Sequence, residues 1–383
     1  MEKKILYKIK DSVDLFLSDE KFIVAYYMNT RQRKTFKVNR NFIFLLENID
    51  GENNLSMLQK IMKEKYDIEE EEIEVILSSL LKNKIITEVN FENDILNLDD
   101  LNRFDRQINY FSEFLENEVE GIKAQKKLMD SHILILGCGA IGGDIAIELA
   151  MAGVRKFTLL DYDTVDESDV SRHMYYSFDK IGEKKVKILK NQILNIDKKI
   201  EVNCIEDAVT PTYDLEETIE KADFIINTLD EPYIGYTSAK ISRICIKKNK
   251  PHFVAGGFDA HLASTGEIVI PYITPCVECY SQYFKEKLKE WKPKEHPVDN
   301  VQRTLEIGGL SSMSLFSASF AAVEIIKYLA GIVNFESNFK VRGEFLFDSM
   351  NLTYINIKRD KKCLICGDDE KKWILFWVLQ FQW

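Results

Sequence analysis

The chain has 383 residues, of which 45% are hydrophobic and 30% charged, and a formal net charge of −11. That composition can build a large core and excludes a disordered chain, while the acidic balance argues against nucleic acid as the main partner. The segment M-E-K-K-I-L-Y-K-I-K is charged throughout and reads as no signal peptide, and no run approaches the ~20 apolar residues of a membrane span.

In chain order, residues 1–90 read as a small winged-helix-like α+β domain. I-L-Y-K-I-K, V-D-L-F-L and F-I-V-A-Y-Y are strand-like alternations between Lys4 and Tyr27. Phe42, Leu45, Leu46 and Ile49 fall at helical spacing, and Asp50-Gly51 signals a turn. Leu55, Leu58, Ile61 and Met62 line a second helix, and Ile73, Ile76, Leu77, Leu80 and Leu81 a third; Ile85 and Ile86 close with a strand. Residues 91–130 read as an acidic helical connector. From 131 to 370 the runs H-I-L-I-L, K-F-T-L-L, E-V-N-C-I, D-F-I-I-N and H-F-V-A-G alternate with helical segments. That rhythm predicts βαβ units and a Rossmann-like, mostly parallel α/β sheet, with its crevice at the carboxyl ends of the strands. The apolar tail 371–383 is too short to span a bilayer.

The strongest local signal is I-L-I-L-G-C-G-A-I-G, in which Gly137, Gly139 and Gly142 separate a strand from a helix. Glycines let the backbone turn tightly and approach phosphate oxygens, and the helix N-terminus offers free N–H groups to the anion. Asp161 ends the next strand about twenty residues on, where a carboxylate meets a ribose hydroxyl. The loop alone would suit a nicotinamide dehydrogenase. Arg172 and Lys185 add cations downstream, which suits a triphosphate better. Asp230, just past the D-F-I-I-N strand, suits magnesium held together with phosphate oxygens; a helix cap or turn is the alternative for it.

Cys276-x-x-Cys279 and Cys363-x-x-Cys366 have the spacing of a closed tetrathiolate zinc site. Zinc would clip the end of the domain back onto its body. Cys204 and Cys245 sit in apolar contexts and Cys138 inside the glycine loop, so all three read as packing. His132, His173, His252 and His261 read as structural, and His296 as an exposed loop residue.

Taken in order, R-F-D-R-Q-I (103–108), the glycine loop, L-L-D-Y-D-T-V, S-D-V-S-R, I-G-E-K-K, Asp230, V-A-G-G and G-E-I-V resemble the ThiF/MoeB/HesA branch of the ubiquitin-activating-enzyme superfamily. The resemblance implies ATP-dependent adenylation of a peptide C-terminus. It assigns the ribose and its surroundings to Asp161 and Asp163, the phosphates to Arg172 and Lys185, magnesium to Asp230 and zinc to the four cysteines. It also implies a homodimer in which Arg106 reaches the partner's active site. Two departures stand out: Glu231-Pro232 follows Asp230 where Asn is usual, and Asp169 stands where Asn is usual before Arg172. Members that form a thioester carry a cysteine after the first zinc pair, but Glu290 to Gly309 contains none. Lacking that nucleophile, the chain is expected to stop at the acyl-adenylate or to pass the acyl group to nitrogen.

A winged-helix plan suggests DNA, but Asn54 to Asn90 carries five Lys against eight Asp or Glu, which would repel phosphates. The pattern instead resembles a PqqD-like module, which takes a precursor peptide as an added strand; a dimerisation domain is the alternative. Joined to an adenylating domain, it resembles the peptide adenylyltransferase family of microcin C biosynthesis, so a ribosomal precursor peptide is the expected partner and the cytoplasm the expected location. A sulfur-carrier activator of the thiamine or molybdopterin type, and a non-catalytic leader-binding partner of a cyclodehydratase, are the competing readings.

Overall fold

In the computed structural model, residues 5–18, 21–89, 95–231, 233–256, 258–259, 262–290, 309–334 and 342–368 are described. They divide into two units, 1–126 and 127–383. The fold is mixed α/β, with a mostly parallel central sheet and antiparallel sheets in the N-terminal region.

The first unit begins with β1 (Leu6–Ile9) and an antiparallel meander, β2 (Val13–Ser18), β3 (Phe22–Tyr27) and β4 (Gln32–Lys37). The meander extends further than the sequence pattern up to Tyr27 suggested, because β4 is almost wholly exposed and carries no apolar alternation. Helix α1 (Arg40–Glu47) starts at Asn39, whose side chain accepts the Phe42 N–H at 2.9 Å. β5 (Asp50–Asn54) follows, then α2 (Leu55–Tyr66), capped by Asn54, α3 (Glu70–Lys82) and β6 (Ile86–Val89). The expected turn at Asp50-Gly51 is thus a strand. Its register on β1 slips between Leu6 and Lys8, and Gly51 absorbs the slip at φ +93°. Turn chemistry persists inside this bulge, where Asp50 Oδ1 accepts the Glu52 N–H at 2.8 Å.

Leu45, Ile49, Leu58, Met62, Ile73 and Leu77 pack with Ile23 and Ala25 of the meander as one core. Helix α4 (Leu98–Phe114) adds Phe104, Ile108 and Phe111 on its buried face. Its Glu113 accepts from Ser12 and Asn29 and pairs with Lys10, so a carboxylate ties this helix to the meander. The border between the units falls within α5 (Glu118–Asp130).

The second unit is built on a six-stranded sheet. It contains β7 (His132–Leu136), β8 (Lys156–Leu160), β9 (Glu201–Ile205), β10 (Phe224–Asn227), β11 (His252–Val254) and β14 (Glu267–Val269), in the order β14-β11-β10-β7-β8-β9. Only β14 runs antiparallel. Ile133–Leu136 and Phe224–Ile226 have no exposed surface, as expected of parallel strands covered on both faces. Helices α6 (Ala140–Met151), α7 (Lys185–Ile196), α8 (Glu216–Lys221) and α9 (Ile234–Lys247) form the crossovers. Strand order reverses between β7 and β10, which opens a crevice beyond their carboxyl ends.

A second, antiparallel sheet, β12 (Phe258–Asp259), β13 (Leu262–Ser264), β15 (Gly343–Leu346) and β16 (Asn351–Tyr354), joins β13 to the later chain. Helices α10 (Val277–Leu288) and α11 (Ser311–Ala330) complete the unit. The 20-residue α11 is long and apolar enough to cross a membrane by length and composition, a length the sequence reading did not find because serines interrupt its apolar run. It packs along α6, where Ser319 donates to Glu148 at 2.6 Å, and its small residues Ser314, Ser317, Ala318, Ala321 and Ala322 are buried.

Candidate nucleotide site and thiolate cluster

The loop between β7 and α6 is fixed from three sides. Gly137 takes φ +93°, open to glycine and costly for other residues. A Cβ on Gly142 would lie 2.1 Å from the Gly137 carbonyl oxygen, so helix and loop touch main chain to main chain. Thr228, after β10, donates its hydroxyl to the carbonyls of Leu136 (3.0 Å) and Gly137 (2.9 Å). Gly139 is different: a Cβ there would meet nothing within 4 Å. Its small size serves no packing within the described residues, so the space above it is available to a ligand at the N-terminus of α6.

Asp161 is buried, and both of its carboxylate oxygens accept main-chain bonds, from Cys138 N–H at 2.6 Å and Asp163 N–H at 2.8 Å. Burial raises its pKa, and these two donors oppose that rise. Asp161 therefore braces the glycine loop directly, a role its position in the motif did not reveal. Tyr175 and Tyr176 complete the brace by donating to the carbonyls of Gly139 (3.1 Å) and Cys138 (3.0 Å). Neither tyrosine has a motif or a periodicity that sequence reading could use.

The two cations lie near one carboxylate. Lys185 Nζ is 3.3 Å from Asp163 Oδ2 and 3.2 Å from Asp169 Oδ2. An Arg172 amino group is 3.4 Å from Asp169 Oδ1 and donates to Ser168 Oγ at 3.0 Å. Burial works against the Lys185 charge, but Asp169, Asp163 and Asp161 outweigh it and hold its pKa above the ordinary value. Asp169, the residue that stands where Asn is usual, thus pre-positions both cations and partly neutralises them. Asp230 is exposed in the turn after β10, and the neighbouring Glu231 accepts from the Tyr162 hydroxyl. Arg106 lies in the first unit, on the exposed face of α4.

Cys276, Cys279, Cys363 and Cys366 are buried together, with all four sulfurs within 4.8 Å of one another. The separations of 3.9 Å (Cys276–Cys279), 3.7 Å (Cys276–Cys363) and 3.5 Å (Cys279–Cys366) suit tetrahedral zinc, whose 2.3 Å bonds place ligand sulfurs ~3.8 Å apart. Gly367 closes the second knuckle by donating to the Cys363 carbonyl at 2.9 Å. Arg359 also donates to the Cys366 carbonyl at 2.6 Å. The donor set fits zinc as a closed structural centre.

The remaining histidines and cysteines have structural surroundings. His132 bonds to Lys221 O and Thr158 Oγ1, both at 2.9 Å. His252 bonds to Lys250 O (3.2 Å) and Ser242 Oγ (3.0 Å), and His173 Nδ1 to Asp169 O (2.8 Å). Cys138 and Cys245 are fully buried, and burial raises both thiols well above their usual range. His261, His296, most of the cysteine-free stretch from Glu290 to Gly309, and the apolar tail lie outside the described residues.

Comparison with known proteins decides the family: residues 104–365 match the ThiF family. The chain belongs to the ThiF family. Among family relatives, the vegetative HesA protein of Trichormus variabilis is 29% identical over 254 residues, covering 64% of this chain and 84% of that protein. The sulfur carrier protein ThiS adenylyltransferase of Escherichia coli is 25% identical over 273 residues, covering 70% and 96%. The crystal structure of E. coli MccB has the same fold, with a TM-score of 0.71 at 20% identity over 95% of this chain and 97% of MccB. Structures of MccB with ATP and with MccA match at TM-scores of 0.67 and 0.68, at 21% and 20% identity, each covering 94% of this chain and 99% of MccB. The similarity to MccB thus also covers most of the residues before 104, where the ThiF match begins.

Proposed function

We propose that this protein is an adenylyltransferase that uses ATP to activate the C-terminus of a ribosomally made precursor peptide, without a thioester step. The observation that carries this reading is the braced glycine loop, with open space over Gly139 and with Lys185 and Arg172 gathered on Asp169. Amide donors and two cations around one pocket stabilise the charge that develops as a carboxylate attacks the α-phosphate and pyrophosphate leaves. The likeness to MccB, known with ATP and with MccA, supports a peptide substrate.

In this reading the Gly139 N–H region faces phosphate, Asp161 and Asp163 lie on the ribose side, and Lys185 and Arg172 neutralise the phosphates. Asp230 would hold magnesium, which supplies further positive charge to the departing pyrophosphate. Zinc on the four thiolates would fasten the second knuckle to the domain and take no part in the reaction. Arg106 would serve a partner copy in a homodimer, and the first unit would take the precursor's leader as an added strand. The absence of a cysteine from Glu290 to Gly309 leaves the acyl-adenylate to decompose or to pass to nitrogen.

The test is incubation with magnesium, α-labelled ATP and the small peptide encoded beside the gene. Pyrophosphate release with label transferred to the peptide supports the reading; neither product overturns it. The ThiS-type relative favours a second reading, a sulfur-carrier activator, which would instead release pyrophosphate with a small protein ending in Gly-Gly.

A further inference from the structure

The Asp169 carboxylate is buried, and its two oxygens face different groups. Oδ2 accepts the Asp166 N–H at 3.1 Å and lies 3.2 Å from Lys185 Nζ. Oδ1 lies 3.4 Å from an Arg172 amino group and 3.7 Å from His173 Nδ1. His173 is itself only 7% exposed. Its Nδ1 is 2.8 Å from the Asp169 main-chain carbonyl. A carbonyl can only accept, so Nδ1 carries the hydrogen and Nε2 of the neutral ring carries none. Nε2 is buried and has no hydrogen-bond partner among the described residues. The rings of Tyr175 and Tyr176 pack on the imidazole, with centroids 5.7 and 4.7 Å away.

Burial pushes the His173 pKa down, the Asp169 carbonyl and carboxylate oppose that, and Lys185 and Arg172 lower it further. The ring is therefore neutral near pH 7 while both cations stay on Asp169. The other charges nearby are directed elsewhere. Asp163 and Asp161, at the end of β8, act on Lys185, and the Asp166 carboxylate accepts the N–H groups of Ser168 and Asp169. A bound nucleotide would change each influence on His173 with the same sign. Phosphates that draw Lys185 and Arg172 to themselves leave a buried carboxylate short of counter-charge, which is costly. Retreat of the two cations removes their repulsion of an imidazolium, and the phosphates bring negative charge closer. The tyrosine rings can face a cation as well as a neutral ring.

We infer that His173 is the reserve counter-ion of Asp169: as nucleotide phosphates draw Lys185 and Arg172 away, Nε2 takes up a proton from solvent and the imidazolium pairs with the carboxylate left behind. Nucleotide binding is thereby coupled to proton uptake. The inference rests on the nucleotide reading of the glycine loop, not on the peptide substrate, and its test separates the two. The protein is titrated calorimetrically with ATP and excess magnesium near pH 7, in buffers of different ionisation enthalpy. With magnesium bound the triphosphate is itself fully ionised, so protons taken up go to the protein. The expected result is uptake of about one proton per nucleotide, with affinity falling about tenfold per pH unit around pH 7.

His173→Gln should abolish the uptake and flatten the pH profile. Asp169→Asn should do the same, because it removes the carboxylate that needs a counter-charge. Both are made in an Asp144→Asn background, since the Asp144 carboxyl also titrates at about 7. Nitrogen-15 spectra of histidine-labelled wild-type protein need no variant: the His173 Nε2 signal should move to the imidazolium position when nucleotide is added. Binding without proton uptake, or uptake that survives either substitution, overturns the inference and leaves the nucleotide reading standing. An Nε2 that stays unprotonated in the nucleotide complex also overturns it. Absence of nucleotide binding overturns both.

Discussion

Gly139 and Gly142 belong to one motif but do different work, and substitution separates them. A methyl group at 142 would collide with the Gly137 carbonyl at 2.1 Å, main chain against main chain. Gly142→Ala should therefore push α6 off the loop, lowering the melting temperature and nucleotide affinity together. Gly139→Ala meets nothing within 4 Å among the described residues and should leave the melting temperature unchanged while weakening ATP binding at least tenfold, as calorimetry would show. Equal effects of the two substitutions would mean that the space above Gly139 is not the ligand's. Another residue sets a pH dependence. Burial and the nearby Glu148 push the Asp144 carboxyl up to about 7, and among the described residues its Oδ2 has no hydrogen-bond partner. The folded protein thus keeps a proton that the unfolded chain releases near pH 4. This contribution is fully favourable below that point and is lost as pH rises through 7. Asp144→Asn should accordingly gain at most ~4 kcal/mol of stability at pH 8, read as a higher melting temperature there and an unchanged one at pH 4.

The two cysteine knuckles lie at the ends of different elements, one opening α10 and the other following β16. With zinc bound, they act as a cross-link over the chain between them. Metal analysis should find one zinc per chain, and Cys363→Ser should lose it and melt about 10 °C lower, the scale of a few kcal/mol in a domain of this size. Cys245→Ser, in the core cluster around β7 and β10, should keep the metal whatever it does to stability. Whether an element could be read from sequence followed its burial. β7, β8 and β10 were legible because strands covered on both faces are continuous apolar runs. β12, β13, β15 and β16 have two to four residues each and left no pattern. β5 was hidden because its bulge carries the residues of a turn.

At the scale of the molecule, the order of motifs was legible because each is a local run whose chemistry does not depend on the fold: the glycine loop, the acidic strand ends, the paired cysteines. What holds them in place was not. Asp161 bracing the loop, Tyr175 and Tyr176 gripping its carbonyls, and Asp169 collecting Lys185 and Arg172 are all contacts made across the fold. The tyrosine grip also makes the loop dependent on the segment that carries Arg172. A backbone shift at 172–176 large enough to swing the arginine would drag the hydroxyls of both tyrosines and release two carbonyls of the loop. In the proposed reading, occupancy of the loop by a nucleotide and the posture of that arginine are mechanically geared, so a ligand that orders one should slow amide hydrogen exchange in the other.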